Sequence, residues 1–167
     1  MGAGILPVAF NGLSVVFLLG KESSGLWSDF GGSSKNIYEK KIKTAIREGY
    51  EEQNGLLGNQ YEISMQIKQN FIGQYNNERY TTFAYKTDYD PKLPIYFRRN
   101  YNFVVNCTPS IVNINHNGLY EKKEIKWFTS NEIYDLDIRP FYKNIIFKFL
   151  QDEKKIEKIF IDELFLE

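Results

Sequence analysis

The sequence predicts an α+β fold in which a mixed β-sheet lies between helices, as in an α/β/α sandwich. Two apolar, β-branched runs near the N-terminus flank Asn11-Gly12, a dipeptide typical of a tight type I′ hairpin turn. A helical pattern follows over about residues 37–53, and a second amphipathic helix is predicted after Pro140. Because strand-like segments fill the interval between these helices, we expect a sheet covered by helices.

The composition indicates one domain over residues 1–167. Apolar residues make up 43% of the chain and aromatic residues 16%, which excludes an intrinsically disordered protein and allows a hydrophobic core to form. The 21 basic and 21 acidic residues give a formal net charge of zero. The protein as a whole therefore lacks the field that would attract it to nucleic acid or to an anionic membrane, although local patches stay open.

Cys107 is the only cysteine, so no intramolecular disulfide can form and a reducing, cytoplasmic location is expected. The apolar run at 5–10 is too short to cross a bilayer and has no basic leader, so neither a signal peptide nor a membrane anchor is expected. His116 is the only histidine. With no second histidine and no nearby cysteine, it does not predict a zinc site.

The N-terminal segment is predicted to form a hairpin followed by a loop. Residues 2–10 and 13–22 supply the two strands, which meet at the Asn-Gly turn. Residues 23–36 are rich in serine and glycine and are predicted to form a loop, interrupted by the aromatic residues Trp27 and Phe30.

The helix predicted over 37–53 carries an apolar stripe. Its members stand at i, i+3, i+4 and i+7, and they are Ile42, Ala45, Ile46 and Gly49. Asn54-Gly55 then supplies a left-handed stop, because both residues tolerate a positive φ.

The middle of the chain is predicted to be strand-rich. Residues 61–75 and 79–90 are strand-like, the second being rich in β-branched and aromatic residues. Pro91 and Pro94 break the pattern. Residues 95–106 fit either another strand or an irregular insertion, and these alternatives stay open.

The C-terminal segment is predicted to contain a short strand and a long helix. "EIKWF", residues 124–128, is the strand, and Thr129 or Ser130 is the N-cap of a brief helical turn. Residues 141–160 have the pattern of an amphipathic helix, with the preceding proline tolerated in its first turn.

Three carboxylates are predicted to share one face of the early helix. Glu51 and Glu52 stand at i+3 and i+4 from Glu48, and such like-charge pairs cost a few tenths of a kcal/mol each (about 0.2–0.5) in a solvated helix. Arg47 offsets part of this repulsion, and Mg²⁺ or Mn²⁺ would offset the rest. Gly49 would allow close approach of the helix to a strand. An ordinary exposed acidic face is the alternative interpretation.

Seven residues at defined spacings resemble the Nudix box, G-x5-E-x7-R-E-U-x-E-E-x-G-U, in which U is apolar. They are Gly32, Glu39, Arg47, Glu48, Glu51, Glu52 and Gly55. "REGYEE" matches the central segment of the pattern, and the spacing from the first glutamate to the arginine is the same. The hairpin, "WSDFGG" and "EIKWF" also look like the elements that flank the box, so the resemblance covers residues 3 to about 150.

Three departures from the pattern affect the loop and the packing of the helix more than the carboxylates. Six residues rather than five separate Gly32 from Glu39, so the loop carries an insertion. Asn54 stands where the family has glycine, and Gly55 follows one position late; asparagine tolerates the left-handed conformation. Gly49 occupies a slot that usually holds a larger apolar residue.

The resemblance implies a Nudix-like α/β/α sandwich and a hydrolase that cleaves phosphoric anhydrides with Mg²⁺ or Mn²⁺ as cofactor. The implied metal ligands are the backbone carbonyl of Gly32 and the carboxylates of Glu48, Glu51 and Glu52. Arg47 would hold the acidic side chains in position, and Glu39 would steady the loop or reach a metal through water.

A further acid, acting as base or ligand, often comes from the loop before the last strand in members of this family. Glu121 and Glu124 are the candidates at this place in the sequence. Both could equally be surface partners of Lys122 and Lys123, and the two interpretations stay open.

Five residues are candidates for substrate binding. Trp27 and Tyr80 could stack on a base, although aromatic residues more often belong to the core. Tyr75 lies close to the spacing of a tyrosine found in dinucleoside polyphosphate members of the family. Arg98 and Arg99 stand among aromatic residues and could bind phosphates or stacked bases, or lie on an ordinary strand edge.

The resemblance implies a pyrophosphatase acting on a small phosphorylated substrate. A nucleoside diphosphate derivative, such as a nucleoside triphosphate or a dinucleoside polyphosphate, is the leading substrate, with RNA caps and diphosphoinositol polyphosphates as alternatives. The neutral chain favours a small substrate over long RNA. A non-catalytic nucleotide-binding module is the alternative from another functional class, and an α+β domain with a chance acidic helix is the third.

Overall fold

A mixed β-sheet forms the centre of the molecule, with helices on both faces. The computed structural model describes residues 1–113 and 118–164, so His116 lies outside the described residues. Over these residues the sheet has seven strands. The predicted α+β class and the helix–sheet–helix layering are confirmed.

The N-terminal hairpin is confirmed, but its turn differs from the predicted one. Strands β1 (Gly2–Phe10) and β2 (Val15–Glu22) are antiparallel, with Phe10 opposite Val15. The connection is therefore a four-residue loop rather than a two-residue type I′ turn. The Asn11 side chain accepts hydrogen bonds from the backbone N–H groups of the third and fourth loop residues at 2.9 Å, and Gly12 takes the positive φ of 93°.

Two short strands interrupt the segment predicted to be a loop. Strand β3 (Trp27–Ser28) pairs with β2, and strand β4 (Phe30–Ser33) pairs antiparallel with the first half of β1. Gly31 faces Gly4 across this second pair, which lets the two backbones and the Tyr80 side chain approach closely. The glycine content predicted a loop. In the structure, the glycines of β4 instead allow this strand to pack closely against β1.

Strand β1 lies in the middle of the sheet. It runs parallel to β6 (Tyr80–Lys86), and β6 pairs with the edge strand β5 (Phe71–Asn76). On the other side, β7 (Lys122–Phe128) pairs with β2. The strands predicted within 79–90 and at 124–128 are confirmed.

Helix α1 (Lys41–Glu52) carries the acidic residues and begins four residues later than predicted. The residues before it belong to the loop that leaves β4. The predicted stop is confirmed, because Asn54 and Gly55 have φ values of 54° and 71°. Ala45 and Gly49 of the predicted apolar stripe are buried against the sheet.

The segment predicted as a strand over 61–75 is mostly helical. Helix α2 spans Gln60–Gln69 and is capped by Asn59, whose side chain accepts from the Glu62 backbone N–H. Ile63 and Ile67 stand at i, i+4 and bury one side of the helix. The β-branched residues predicted a strand. The capping box and the packing against the sheet stabilise a helix instead.

The segment at 95–106, left open between a strand and an insertion, is also a helix. Helix α3 (Leu93–Cys107) has Pro94 in its first turn, where the missing N–H breaks no intrahelical hydrogen bond. Phe97 and Val104 are buried at i, i+7. A one-turn helix α4 (Pro109–Asn113) follows.

Two helices replace the single C-terminal helix that was predicted. After α5 (Ser130–Tyr134), with Thr129 as its N-cap, come α6 (Pro140–Gln151) and α7 (Glu153–Leu164). Asp152 is the C-cap of α6, and the chain bends there. The predicted cap and the proline at the start of α6 are confirmed. Among the described helices, none is long and apolar enough to cross a membrane.

The two faces of the sheet have separate hydrophobic cores. Along β1, Ile5 packs with residues of α1, α2 and α3, and Leu6 packs with residues of α5, α6 and α7. This alternation is the period of two expected for a central strand. On the Ile5 face of the sheet, α1 lies over the pair formed by β4 and β1, and its glutamates lie above that pair.

Gly49 provides a test of the packing between α1 and β1. A Cβ built on Gly49 would lie 2.5 Å from Cγ1 of the buried Ile5. Gly49→Ala should therefore lower the free energy of unfolding by about 1–3 kcal/mol through overpacking. In an uncrowded helix the same change would raise it by roughly 0.5–1 kcal/mol.

Urea unfolding of Gly49→Ala, Ile5→Ala and the double variant measures this contact. Because Ile5→Ala removes the crowding atoms, the double variant should be more stable than the sum of the two single effects indicates. Additive losses, or a stabilised Gly49→Ala protein, would contradict the close packing.

Candidate active site

A polar cleft of about 370 Å³ lies between α1 and β4. Among the described residues, five of its eleven lining residues are glutamates, so we call it the acidic cleft. Its lining residues are Glu22, Gly31, Gly32, Ser33, Arg47, Glu48, Glu51, Glu52, Gly118, Glu121 and Arg139.

The guanidinium of Arg47 connects three carboxylates. Its Nη1 donates to Glu48 Oε1 at 2.7 Å and to Glu51 Oε2 at 3.3 Å. Its Nε and Nη2 donate to the two carboxylate oxygens of Glu39, each at 3.2 Å, and Nη2 also donates to the Ser33 carbonyl at 3.0 Å. Arg47 thus joins α1 to both the loop and β4, as a positioning role would require.

Glu39 fixes the loop that carries the additional residue. Its Oε2 accepts from the Lys35 backbone N–H at 2.7 Å, while both carboxylate oxygens bind Arg47. Hydrogen bonds from Arg47 lower the pKa of Glu39 to about 2. The side chains of Ile37 and Tyr38 are 89% and 87% exposed. The longer loop therefore bulges into solvent and leaves the contact between Glu39 and Arg47 in place.

Glu52 is the most deeply buried of the three helix glutamates. Its Oε2 accepts from the Gly31 backbone N–H at 2.7 Å and lies 3.5 Å from Lys122 Nζ. Burial raises the pKa of Glu52 to about 8, and the charge of Lys122 and the Gly31 hydrogen bond oppose this rise. The Glu52 side chain is therefore aimed at β4 and held from two sides.

Lys122 is a buried cation beneath the acidic cleft. Its side chain is fully buried, and Nζ donates to Ser28 Oγ at 2.8 Å and to Glu22 Oε1 at 3.2 Å. The stem passes over Gly20, where a Cβ would lie 2.9 Å from Lys122 Cδ. Lys122 is thus the common partner of Glu22 and Glu52.

Two glycines leave room for carboxylates in the acidic cleft. A Cβ on Gly32 would lie 2.5 Å from Glu48 Oε2, and a Cβ on Gly118 would lie 2.6 Å from Glu51 Oε2. Larger residues at these positions would displace the carboxylates. The backbone of Gly32 therefore lies directly against Glu48, where the resemblance placed a metal-binding carbonyl.

A buried acid supports the floor of the cleft from below. Asp29 accepts hydrogen bonds from Tyr80 Oη at 2.9 Å and from Thr82 Oγ1 at 2.7 Å. Burial raises the pKa of Asp29 to about 6, although both hydrogen bonds oppose the rise. This network ties β6 to the segment that leads into β4.

The two acids before the last strand lie in different places. Glu121 is exposed and lines the acidic cleft, whereas Glu124 faces Arg98 of α3 at 3.9 Å and is not among the described residues lining the cleft. Lys122, which the sequence suggested as a surface partner for either acid, is buried. The position of Glu121 therefore fits the role of a further acid in the cleft, and that of Glu124 does not.

None of the five candidate substrate residues is among the described residues that line the acidic cleft. Trp27 is buried against Phe128, and the Tyr75 hydroxyl bonds to Asp152 in the opposite helix layer. Arg98 and Arg99 are exposed on α3. Tyr80 lies beneath Gly31, so it supports the cleft without lining it.

Sequence reasoning missed Lys122, Asp29, Glu22 and Arg139. Arg139 Nη1 donates to Glu22 Oε1 at 2.6 Å, so Glu22 has two cationic partners. Lys122 stands in a run of mixed charges at residues 121–124, which ordinarily indicates exposure. Asp29 had the clearest signal, because it stands between the large aromatic residues Trp27 and Phe30.

The donor set of the acidic cleft fits a hard divalent cation, because Mg²⁺ and Mn²⁺ prefer carboxylate and carbonyl oxygens. Over residues 1–113 and 118–164, however, no three acidic, cysteine or histidine side chains converge on one point where an ion could bind. Arg47 lies between Glu48 and Glu51, and Lys122 holds Glu52. An ion would therefore bind after rotation of a carboxylate away from Arg47.

Known structures share this architecture. No protein-family model matches the sequence, and no curated protein is significantly similar to it. An Ap4A hydrolase from C. elegans, solved as a binary complex, has a TM-score of 0.53 at 14% identity, over 97% of this chain and 99% of that chain. This chain has the Nudix fold.

A second solved structure agrees with this assignment. The Nudix hydrolase RenU from M. smegmatis has a TM-score of 0.50 at 14% identity, over 96% of this chain and 85% of that chain. At such identities the likeness establishes the Nudix fold alone. The expected resemblance is confirmed at that level, and the roles of the residues in the acidic cleft remain predictions.

The contribution of Lys122 to the free energy of unfolding should be largest at high pH. In metal-free protein at pH 9, Lys122→Met should lower the free energy of unfolding by about 3–5 kcal/mol, because it removes the cationic partner of the buried Glu52 carboxylate, whereas Glu22 keeps Arg139. The loss should be smaller at pH 6, where Glu52, with its raised pKa, takes up a proton.

Urea unfolding in EDTA at both pH values checks this expectation, with Lys126→Met of the same strand as the exposed control. The double variant Lys122→Met/Glu52→Gln should lose less stability at pH 9 than Lys122→Met alone. A loss equal at both pH values would show that the charge of Glu52 is not involved.

Glu39 should stabilise the protein in a pH-dependent manner. Its pKa is lowered from 4.5 to about 2 on folding, so its contribution is complete above about pH 5 and is lost as the pH falls toward 2. The difference in unfolding free energy between wild type and Glu39→Gln should narrow over that interval. Denaturant unfolding from pH 2 to 6 measures it, and the exposed Glu78→Gln is the control. A difference that stays constant with pH would contradict the pairing with Arg47.

Proposed function

We propose that this protein is a divalent-metal-dependent pyrophosphohydrolase that cleaves a diphosphate linkage in a nucleoside diphosphate derivative. The observation that carries the proposal is that Glu48, Glu51 and Glu52 line one polar cleft, with Glu48 against Gly32 and Glu52 hydrogen-bonded to the Gly31 N–H. The likeness to Nudix hydrolases in fold supports it, and the sequence supplies the spacing of the Nudix box.

The metal would be Mg²⁺ or Mn²⁺, held by Glu48, Glu51 and Glu52 with the Gly32 carbonyl. A diphosphate carries several negative charges, so carboxylates alone would repel it. When bound, the cation neutralises the charge of the phosphate oxygens and acidifies the attacking water. The glutamates would supply the oxygen ligands, and Gly32 leaves room for the Glu48 carboxylate at the same wall of the cleft.

Other residues would orient this ligand set. Arg47 limits the rotation of Glu48 and Glu51, and the Gly31 N–H directs Glu52 toward β4. Glu121 is exposed at the cleft, where it can accept a proton from water and release it to solvent. We therefore assign Glu121 the role of general base and Arg47 a positioning role.

The C. elegans protein of similar fold is an Ap4A hydrolase, which favours a dinucleoside polyphosphate or a nucleoside triphosphate as substrate here. RNA caps and diphosphoinositol polyphosphates are the alternatives. A non-catalytic nucleotide-binding module is disfavoured, because all three helix carboxylates line the acidic cleft together with Glu121.

A panel of phosphorylated substrates with Mg²⁺ or Mn²⁺ tests the proposal. Glu52→Gln should reduce the rate of anhydride cleavage by at least about 100-fold, because a neutral amide is a poor ligand for a hard cation. Glu124→Gln, on β7 and facing Arg98, should retain activity. Product release is measured by chromatography, and binding of Mn²⁺ by electron paramagnetic resonance.

Both readouts are needed to interpret the panel. Loss of activity and of Mn²⁺ affinity in Glu52→Gln, with neither changed in Glu124→Gln, is the expected outcome. Undiminished activity in Glu52→Gln would refute the assignment of the site. A wild-type protein that binds Mn²⁺ and nucleotides without cleaving any substrate would favour the binding module instead.

A further inference from the structure

The loop between β4 and α1, residues 34–40, presents apolar side chains to solvent. Ile37 and Tyr38 follow each other at its tip and are 89% and 87% exposed, and Met1 is 78% exposed. The three side chains line one surface hollow of about 530 Å³, and we call them the apolar tip. Single exposed apolar residues are common on protein surfaces, whereas adjoining ones mark contact with a partner or a membrane.

Hydrogen bonds anchor this loop at both ends. Ser34 donates to the Met1 carbonyl through its backbone N–H at 2.9 Å and through Oγ at 2.7 Å. The Asn36 side chain accepts from the Tyr38 backbone N–H at 2.9 Å, and Glu39 joins the end of the loop to α1. The backbone is therefore held in place while the side chains of the apolar tip contact solvent.

Lysine side chains surround the apolar tip. Residues 33–46 contain four lysines and a single acid, Glu39, which is paired with Arg47. The chain as a whole is neutral, so this excess of positive charge is local to one end of the molecule. The three fully exposed lysines are Lys35, Lys40 and Lys43.

The N-terminus of α1 adds to this positive charge. The helix begins at Lys41 with no acidic residue in its first turn, and Lys40 at its N-cap position makes no side-chain capping bond. The partial positive charge at a helix N-terminus favours acids, so lysines there are unfavourable until an anion approaches. The charge around the apolar tip is therefore complementary to an anionic partner.

We propose that this end of the molecule docks on an anionic lipid bilayer, with Ile37 and Tyr38 inserted at the level of the headgroups and the lysines on the lipid phosphates. A tyrosine beside an aliphatic residue suits the boundary between acyl chains and water, because its hydroxyl stays hydrated. A nucleic acid would match the lysines, but isoleucine and methionine have no ring on which a base could stack. The docking is independent of the proposed hydrolase activity.

Co-sedimentation with lipid vesicles in EDTA tests the docking. The chelator prevents a divalent cation from bridging the acidic cleft to the lipid. Wild type should bind vesicles made of equal parts of phosphatidylcholine and phosphatidylserine. It should bind vesicles of phosphatidylcholine alone at least about 10-fold more weakly, because each lysine near an anionic surface strengthens binding by about fivefold.

The contribution of the apolar tip is measured with Ile37→Ser/Tyr38→Ser. This variant should bind the anionic vesicles at least about 10-fold more weakly, because it loses the inserted side chains and keeps the lysines. Leu13→Ser is the matched control, since Leu13 is 88% exposed at the opposite end of β1 and has no lysines around it in sequence. It should bind as wild type does.

The contribution of the lysines is measured with Lys40→Gln/Lys43→Gln, which should weaken binding to the anionic vesicles by about 10-fold or more. Lys154→Gln/Lys158→Gln makes the same change in net charge at exposed positions on α7. This control should bind as wild type does, because its lysines lie away from the apolar tip.

Insertion into the bilayer has a spectroscopic readout of its own. Ile37→Trp places an indole at the tip, whereas the native Trp27 and Trp127 are buried. The fluorescence emission of this variant should shift to shorter wavelength when anionic vesicles are added. The emission of Leu13→Trp should stay unchanged.

Absence of binding to the anionic vesicles would overturn the inference. Equal binding by wild type and Ile37→Ser/Tyr38→Ser, or an unshifted emission of Ile37→Trp, would also refute insertion. Retention on a single-stranded oligonucleotide without binding to vesicles would assign the lysines to nucleic acid and exclude the bilayer. Because no phosphorylated substrate is present, each of these outcomes is separate from the result of the substrate panel.

Discussion

The acidic cleft depends on two cations, Arg47 and Lys122, that offset the repulsion between its carboxylates. Two unit charges about 4 Å from each other interact with roughly 4 kcal/mol near a protein surface, so five glutamates lining one cleft would repel one another strongly without compensation. Arg47 bridges Glu48 and Glu51, and Lys122 lies between Glu22 and Glu52. The protein thereby gathers the acids before any metal binds, and a divalent cation would compete with Arg47 for Glu48 and Glu51 and with Lys122 for Glu52.

Around these charges, β4 and α1 pack unusually close to β1. The glycines of β4 lie against β1 and leave space for Tyr80 below and for Glu48 above. Gly49 does the same between α1 and Ile5, so the helix sits close to the sheet and its acidic face is fixed in depth. Small residues thus determine where the carboxylates stand, although none of them contributes a charge.

Features of the fold and site that depend on neighbouring residues could be predicted from the sequence. Contacts between residues far apart in the chain could not. The spacing of the Nudix box placed the three helix glutamates on one face, and the left-handed stop at Asn54 followed from residue type. Helices α2 and α3 were missed because their β-branched and aromatic residues resemble strand sequences; packing against the sheet decided otherwise. The burial of Lys122 depends on Gly20, about a hundred positions earlier, and no local pattern reports such a contact.

The ion pairs of Glu22 make completion of the cleft depend on residues that are synthesised late. Glu22 pairs with Lys122 and Arg139, which lie 100 and 117 positions further along the sequence. During synthesis Arg47 emerges together with the acids of α1, whereas the two later cations emerge only after β6 and α3. Contacts of such long range form late and slow the folding of a domain. A nascent chain therefore has an acidic helix before it has a finished cleft, and the site is complete only in molecules whose C-terminal third has docked.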